Sequence, residues 1–176
     1  MIYIQNIYVN QQRKEQYLKF PFFAKEVDFA NDFELKFNEL WHTLYLKVAN
    51  ENNEMQLFYE ENQLFYENLF QVGSNNEKLY TEIVKSFEVW WSSLAGGFAL
   101  ERSIDGVGQQ LYNEVVSFLK KNKINPSKHL QISLIYDDCI FAQEMISSYF
   151  TVVPAKDFLI AYKEVVTQLK KCFIEA

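Results

Sequence analysis

Two cysteines, three prolines and five glycines are all that this chain of 176 residues has of the types that staple, break or loosen a fold. Cys139 and Cys172 are too few for a disulfide framework and fit a reducing compartment, so a cytoplasmic location is expected. So little proline and glycine leaves small room for long linkers, which predicts one globular domain over residues 1–176. No apolar run is long enough to span a bilayer, and no membrane partner is expected. The opening MIYIQNIYVN lacks a basic n-region and a continuous apolar core, so no secretory signal is expected there.

Histidine is confined to His42 and His129, which show neither the i, i+4 pairing of a helical metal site nor a partner CxxC. The GVG at 106–108 does not extend to a dinucleotide fingerprint and reads as a turn; no P-loop or GxSxG occurs. The expectation is a chain with no catalytic residues, no metal and no cofactor. Base is short as well, and the net charge is −6. From Val48 to Glu77 there are six glutamates and no lysine or arginine. Residues 1–117 hold 17 acids against nine bases, whereas the rest carries a small positive excess. Such a surface repels phosphate, which argues against nucleic acid, and attracts a basic protein. Arginine is almost absent beside lysine and asparagine is common, a codon usage that points to an AT-rich genome.

What the chain has in quantity is aromatic residues, 16 Phe, 11 Tyr and 3 Trp. The stretch Glu77–Leu94 organises them. Leu79, Ile83, Phe87, Trp90, Trp91 and Leu94 recur on one face of a 3.6-residue period. Ser74 and Glu77 have capping-box spacing, and Gly96-Gly97 follow as residues able to stop the helix in the left-handed region. Upstream, residues 1–9 alternate as an N-terminal strand, which Tyr17–Phe23 could join as an edge strand marked by Pro21. A helix is predicted from Phe33 or Glu34 through Val48, against a competing strand reading in which Leu44, Leu46 and Val48 alternate. The tandem QLFYEEN–QLFYENL from Gln56 is either helix or hairpin.

Downstream, 98–105 reads as a connector, 109–121 as a helix and 129–136 as the central strand. Asp137 or Asp138 then caps a helix to about Ser148. Residues 151–153 form a short strand, and Pro154 opens a last helix to about Phe173. The predicted class is α+β, predominantly helical with a few strands, the C-terminal third being a small β-α-β-α unit.

The most suggestive surface is the acidic, aromatic stretch 54–70. Glu54, Tyr59, Glu60, Glu61, Tyr66 and Glu67 combine anchor rings with a negative rim, the composition of a site for a basic protein. The functional expectation is a small acidic inhibitor that acts by direct binding, most concretely a bacterial immunity or antitoxin-type protein covering a basic toxin domain such as a nuclease. Two alternatives stand beside it. One is an adaptor acting through homo-oligomerisation. The other is a small enzyme or metal-binding protein using Asp137 and Asp138, with His129 or Cys139 in support, placed where open α/β sheets put ligands.

Overall fold

The structure, a computed structural model, describes residues 1–13, 17–51, 61–142 and 146–174. Among them are eight helices and one three-stranded sheet, a mostly helical α+β architecture as the sequence predicts. The chain divides into two compact units, Met1–Trp90 with Cys139–Gln143, and Trp91–Asp138 with Glu144–Ala176.

The first unit contradicts the expected N-terminal strand. Residues Ile2–Gln12 form a helix, α1, with Ile2, Tyr3, Ile4, Gln5, Asn6, Ile7 and Val9 all buried. A helix covered on nearly every side has no polar face, so its sequence shows no 3.6 period. Its β-branched and aromatic residues then imitate strand alternation. Tyr17–Phe23 is not a strand either. It is an irregular segment with a cis Phe20–Pro21 peptide, laid against α1.

Helix α2 (Phe33–Glu51) buries Phe33, Phe37, Leu40 and Tyr45, and packs against α3 (Asn62–Leu69). The second QLFYENL copy is therefore helical, which removes the hairpin reading there; most of the first copy lies outside the described residues. Helix α4 (Ser74–Trp91) buries Leu79, Tyr80 and Ile83. Its apolar stripe thins toward the end: Phe87 and Trp90 are half-buried against Tyr3, and Leu94 lies beyond the helix in solvent. The Ser74 side chain, and with it the capping box, lies outside the described residues. Rings of Tyr8, Phe29, Phe33, Phe37 and Phe141 interlock in the core, with Tyr8 stacked on Phe33 at 4.0 Å between centroids.

In the second unit the expected connector contains a short helix, α5 (Gly97–Arg102), followed by α6 (Asp105–Asn122). Gly106 and Gly108 sit in the first turns of α6 rather than in a turn before it. Among the described residues no glycine has a positive φ. Gly97 serves instead as a close-approach site, because a Cβ there would meet the Trp91 ring at 3.1 Å and the Trp91 carbonyl at 3.2 Å.

The sheet runs β1 (Gln131–Ile135), β3 (Phe150–Pro154), β2 (Ile146–Ser147) in spatial order. β1 and β3 are parallel, with Gln131 opposite Phe150 and Ile135 opposite Pro154; β2 is antiparallel to β3. The last predicted helix is divided at Ala161 into α7 (Asp157–Ile160) and α8 (Tyr162–Lys171), and Pro154 closes β3 rather than opening a helix. Leu111, Val115 and Leu119 of α6 meet Val153, Phe158, Val165, Val166 and Leu169 in one core, with Leu130, Ile132 and Leu134 of the β1 region on its edge.

The helix expected after Asp137 does not begin there: residues 137–142 are irregular. The reason lies in tertiary packing. The Ile140 amide donates to the buried Gln5 carboxamide oxygen at 2.9 Å, and the Phe141 ring is wedged among Tyr8, Phe33 and Phe37. Even half-burial of such a ring stabilises by an amount on the order of 1 kcal/mol, which exceeds the intrinsic helix preference of a residue.

Candidate partner-binding surface

The two units divide the charge sharply. The first holds fourteen acids and eight bases, the second nine of each, so the whole net charge of −6 belongs to the first.

Of the residues singled out in the sequence, Glu54, Tyr59 and Glu60 lie outside the described residues. Glu61 is half-buried and its carboxylate pairs with Lys47 of α2. Tyr66 is only 7 % exposed, so its ring stands in the core rather than on a rim. That ring lies 5.9 Å from Phe70 and 5.4 Å from Tyr80 between centroids, and its hydroxyl donates to the Gly73 carbonyl at 3.1 Å. The i, i+4 pattern accounts for this, since Tyr66 shares a face with Leu69 and Phe70. Glu67 points to solvent and accepts a hydrogen bond from Gln63 Nε2 at 3.1 Å. Glu77, at the start of α4 where the helix dipole favours a carboxylate, is exposed as well.

Asp137 and Asp138 stand at the carboxyl ends of the parallel strands, as expected, but cap no helix there. Asp137 Oδ1 accepts the Asp138 amide at 2.8 Å, and the Asp138 carboxylate pairs with Lys156, which follows β3. The pairing raises the Lys156 pKa, the Asp138 hydrogen bond being the largest cause. Burial pushes the Cys139 thiol up to about 11, so at neutral pH it is the protonated, unreactive form. His42 and His129 are both exposed. For His42 this departs from a place at the core edge, because α2 turns positions 33, 37, 40 and 45 inward. Among the described residues no three His, Cys, Asp or Glu side chains are grouped to hold a metal ion.

One surface was not legible as such. Tyr17, Leu18 and Phe22 are 78 %, 65 % and 68 % exposed, with Phe20 half-exposed between them. The backbone beneath is clamped from α1. Asn10 Nδ2 donates to the carbonyls of Lys19 (2.7 Å) and Pro21 (3.0 Å), and Asn6 Nδ2 donates to that of Phe20 (2.7 Å). Gln11 Nε2 reaches the Lys25 carbonyl at 2.8 Å. Beside the segment is a cleft of about 660 Å³ lined by Asn10, Arg13, Tyr17, Phe22 and Lys25 among others. The signal was present in the sequence as Asn6 and Asn10, four residues apart on a stretch whose other residues, Gln5 apart, are apolar. It becomes readable only once that stretch is known to be helical.

Comparison with protein-family models, curated proteins and solved structures finds no match to this chain.

Proposed function

We propose that this chain is a non-enzymatic binding protein that neutralises a basic protein partner by covering it, of the kind that bacterial immunity and antitoxin proteins represent. The observation that supports the reading is the confinement of the net charge to the first unit, with Glu67 and Glu77 solvent-facing on adjoining helices. Negative potential concentrated on one unit steers a cationic partner and raises its association rate. A toxin domain that acts on nucleic acid presents a basic surface to such a blocker, and cytoplasmic residence would place the two together during synthesis.

The test is a pull-down with the tagged chain from its host's lysate at low and high salt, followed by stopped-flow association with the recovered protein. A basic protein bound one-to-one is expected. Its on-rate should fall steeply with salt and by about tenfold in the Glu67→Lys/Glu77→Lys variant. An on-rate indifferent to both salt and the charge reversal would sink the proposal.

A further inference from the structure

We infer that the segment Tyr17–Phe22 is a peripheral membrane contact that seats on the surface of an anionic bilayer. Three observations converge on that occupant. The first is exposure: Tyr17, Leu18 and Phe22 lie open to solvent within six residues, an apolar patch presented by a loop rather than by the buried side of a helix. Tyrosine, phenylalanine and leucine interleaved with lysine are the composition that favours the bilayer interface, where rings sit at headgroup level and lysine reaches phosphate.

The second observation is the backbone. A loop entering an apolar medium must bring its own hydrogen-bond partners. Here the carbonyls of Lys19, Phe20 and Pro21 are held by Asn10 and Asn6, the Lys19 amide donates to Asn10 Oδ1 at 2.7 Å, and Pro21 has no amide to satisfy. This also separates a bilayer from a protein groove. Protein interfaces are read through direct hydrogen bonds as well as packing. At positions 19–21 the three carbonyls and the Lys19 amide are turned inward, and the loop presents mainly side chains.

The third observation is charge. Arg13, Lys19 and Lys25 stand in or beside the segment against Glu26, within a unit that carries more acid than base. Of these, Arg13 and Lys25 line the cleft beside Tyr17 and Phe22, together with Glu26. Lys25 also pairs with Glu82 at 2.5 Å, which leaves Arg13 as the larger electrostatic contribution. Attraction to anionic lipid is short-ranged, so this local basic edge can act although the unit as a whole is negative. No described helix is long and apolar enough to cross a membrane, so the contact is with the surface.

The experiment is co-sedimentation of the full chain with vesicles of pure phosphatidylcholine and of phosphatidylcholine with about a quarter phosphatidylserine. The anionic vesicles should bind roughly tenfold better, with the preference lost at high salt. Leu18→Ser/Phe22→Ser should weaken binding to anionic vesicles by at least about tenfold while circular dichroism stays unchanged, since both side chains are exposed. Arg13→Asn should reduce the anionic preference alone; asparagine tolerates the left-handed conformation that Arg13 adopts, with φ of 50°. Vesicle binding unaffected by Leu18→Ser/Phe22→Ser overturns the inference, as does failure to bind either vesicle. Retention on polyglutamate without vesicle binding would assign the loop to an acidic protein and equally overturn it. None of these results depends on Glu67 or Glu77, so the proposed basic partner is tested separately.

Discussion

Asn10 grips the Lys19 peptide unit from both sides. Its carboxamide oxygen accepts the Lys19 amide at 2.7 Å, while its nitrogen donates to the Lys19 carbonyl at 2.7 Å and to that of Pro21 at 3.0 Å. Asn76 repeats the arrangement on Asp28, accepting its amide at 3.2 Å and donating to its carbonyl at 2.7 Å and to that of Gln71 at 2.8 Å. In both cases one carboxamide does what a neighbouring strand would do, satisfying donor and acceptor of the same residue. Irregular backbone is thereby held close to helices, at Asp28 beside a single antiparallel bridge between Phe29 and Phe70.

Removing the clamp should therefore cost more than a surface substitution does. Asn10→Ala is expected to lower unfolding free energy by about 1–3 kcal/mol, because carbonyls that lose a partner in a part-buried site are only partly rescued by water. Asn10→Asp keeps the acceptor for Lys19 and loses both donors, so it should also destabilise. Denaturant titration checks both, and limited proteolysis should show cleavage near residue 18 rising in each. An Asn10→Ala protein as stable and as protease-resistant as the parent would show that the loop does not depend on this side chain.

The apolar stripe of α4 divides by burial. Ile83 is 1 % exposed, and Ile83→Ala should cost about 2–5 kcal/mol. Leu94, placed on the same stripe by its spacing but 78 % exposed, should tolerate alanine within about 0.5 kcal/mol. Equal effects at the two positions would mean that the end of the helix is covered in solution.

Gly97 makes a distinct prediction in the second unit. A methyl group there meets the Trp91 ring at 3.1 Å and the Trp91 carbonyl at 3.2 Å. Gly97→Ala should destabilise by roughly 1–3 kcal/mol, since a backbone atom gives way less easily than a side chain. A shift in the tryptophan near-ultraviolet dichroism should accompany the loss. A more stable variant would instead mean that helix propensity outweighs the contact.

Stability should decline in alkali. Burial moves the Cys139 thiol from its ordinary value of 9.0 up to about 11, and raises the hydroxyls of Tyr80 and Tyr3 above their usual range. Between those two values for Cys139, the unfolded chain has released a proton that the folded chain retains. The unfolded state thus binds fewer protons, and unfolding free energy falls as pH rises through that window. Denaturant midpoints between about pH 8 and pH 10.5 should show the slope, and Cys139→Ala should make it shallower. An identical slope in the variant would remove Cys139 as a cause.

Asp138 and Lys156 form a pair whose side chains are 42 % and 44 % exposed. An ion pair so open to water contributes about 0–1 kcal/mol, and Asp138→Asn should cost no more than that. Magnesium or manganese should leave the melting temperature of the parent unchanged. A metal-dependent rise in the parent that Asp138→Asn abolishes would make the strand ends a cation site and revive the enzyme alternative.

The elements that were legible in the sequence are those with a free face. Helices α2, α4 and α6 each present a polar side, so the 3.6-residue period is written into Phe33–Phe37–Leu40, Leu79–Ile83 and Leu111–Val115–Leu119. The strands β1 and β3 were readable because β-branched runs there are bounded by a loop or a proline. Helix α1 was not, because full burial erases the period. The helix expected after Asp137 or Asp138 failed because Phe141 and Ile140 are held by partners in the first eight residues and in α2, at sequence separations of a hundred or more. The candidate site was partly readable: Glu67 faces solvent as its charge suggests, whereas Tyr66 is core, and Tyr17–Phe23, which reads as an edge strand, is an irregular segment with exposed side chains.

By itself the sequence determined the class of this protein, mostly helical with a small sheet, and the sign of its field, since composition and local periodicity are properties of short stretches. Only the tertiary structure decided which aromatic residues are core and which are surface. Phe20 and Phe22 differ little from Phe29 and Phe33 as residues, yet the latter pair is interlocked in the core and Phe22 is in water. That difference arises from side chains of α1, Asn6 and Asn10, which bond the loop backbone and turn its rings outward. Burial depends on contacts between residues far apart in sequence, and no window of neighbours contains them.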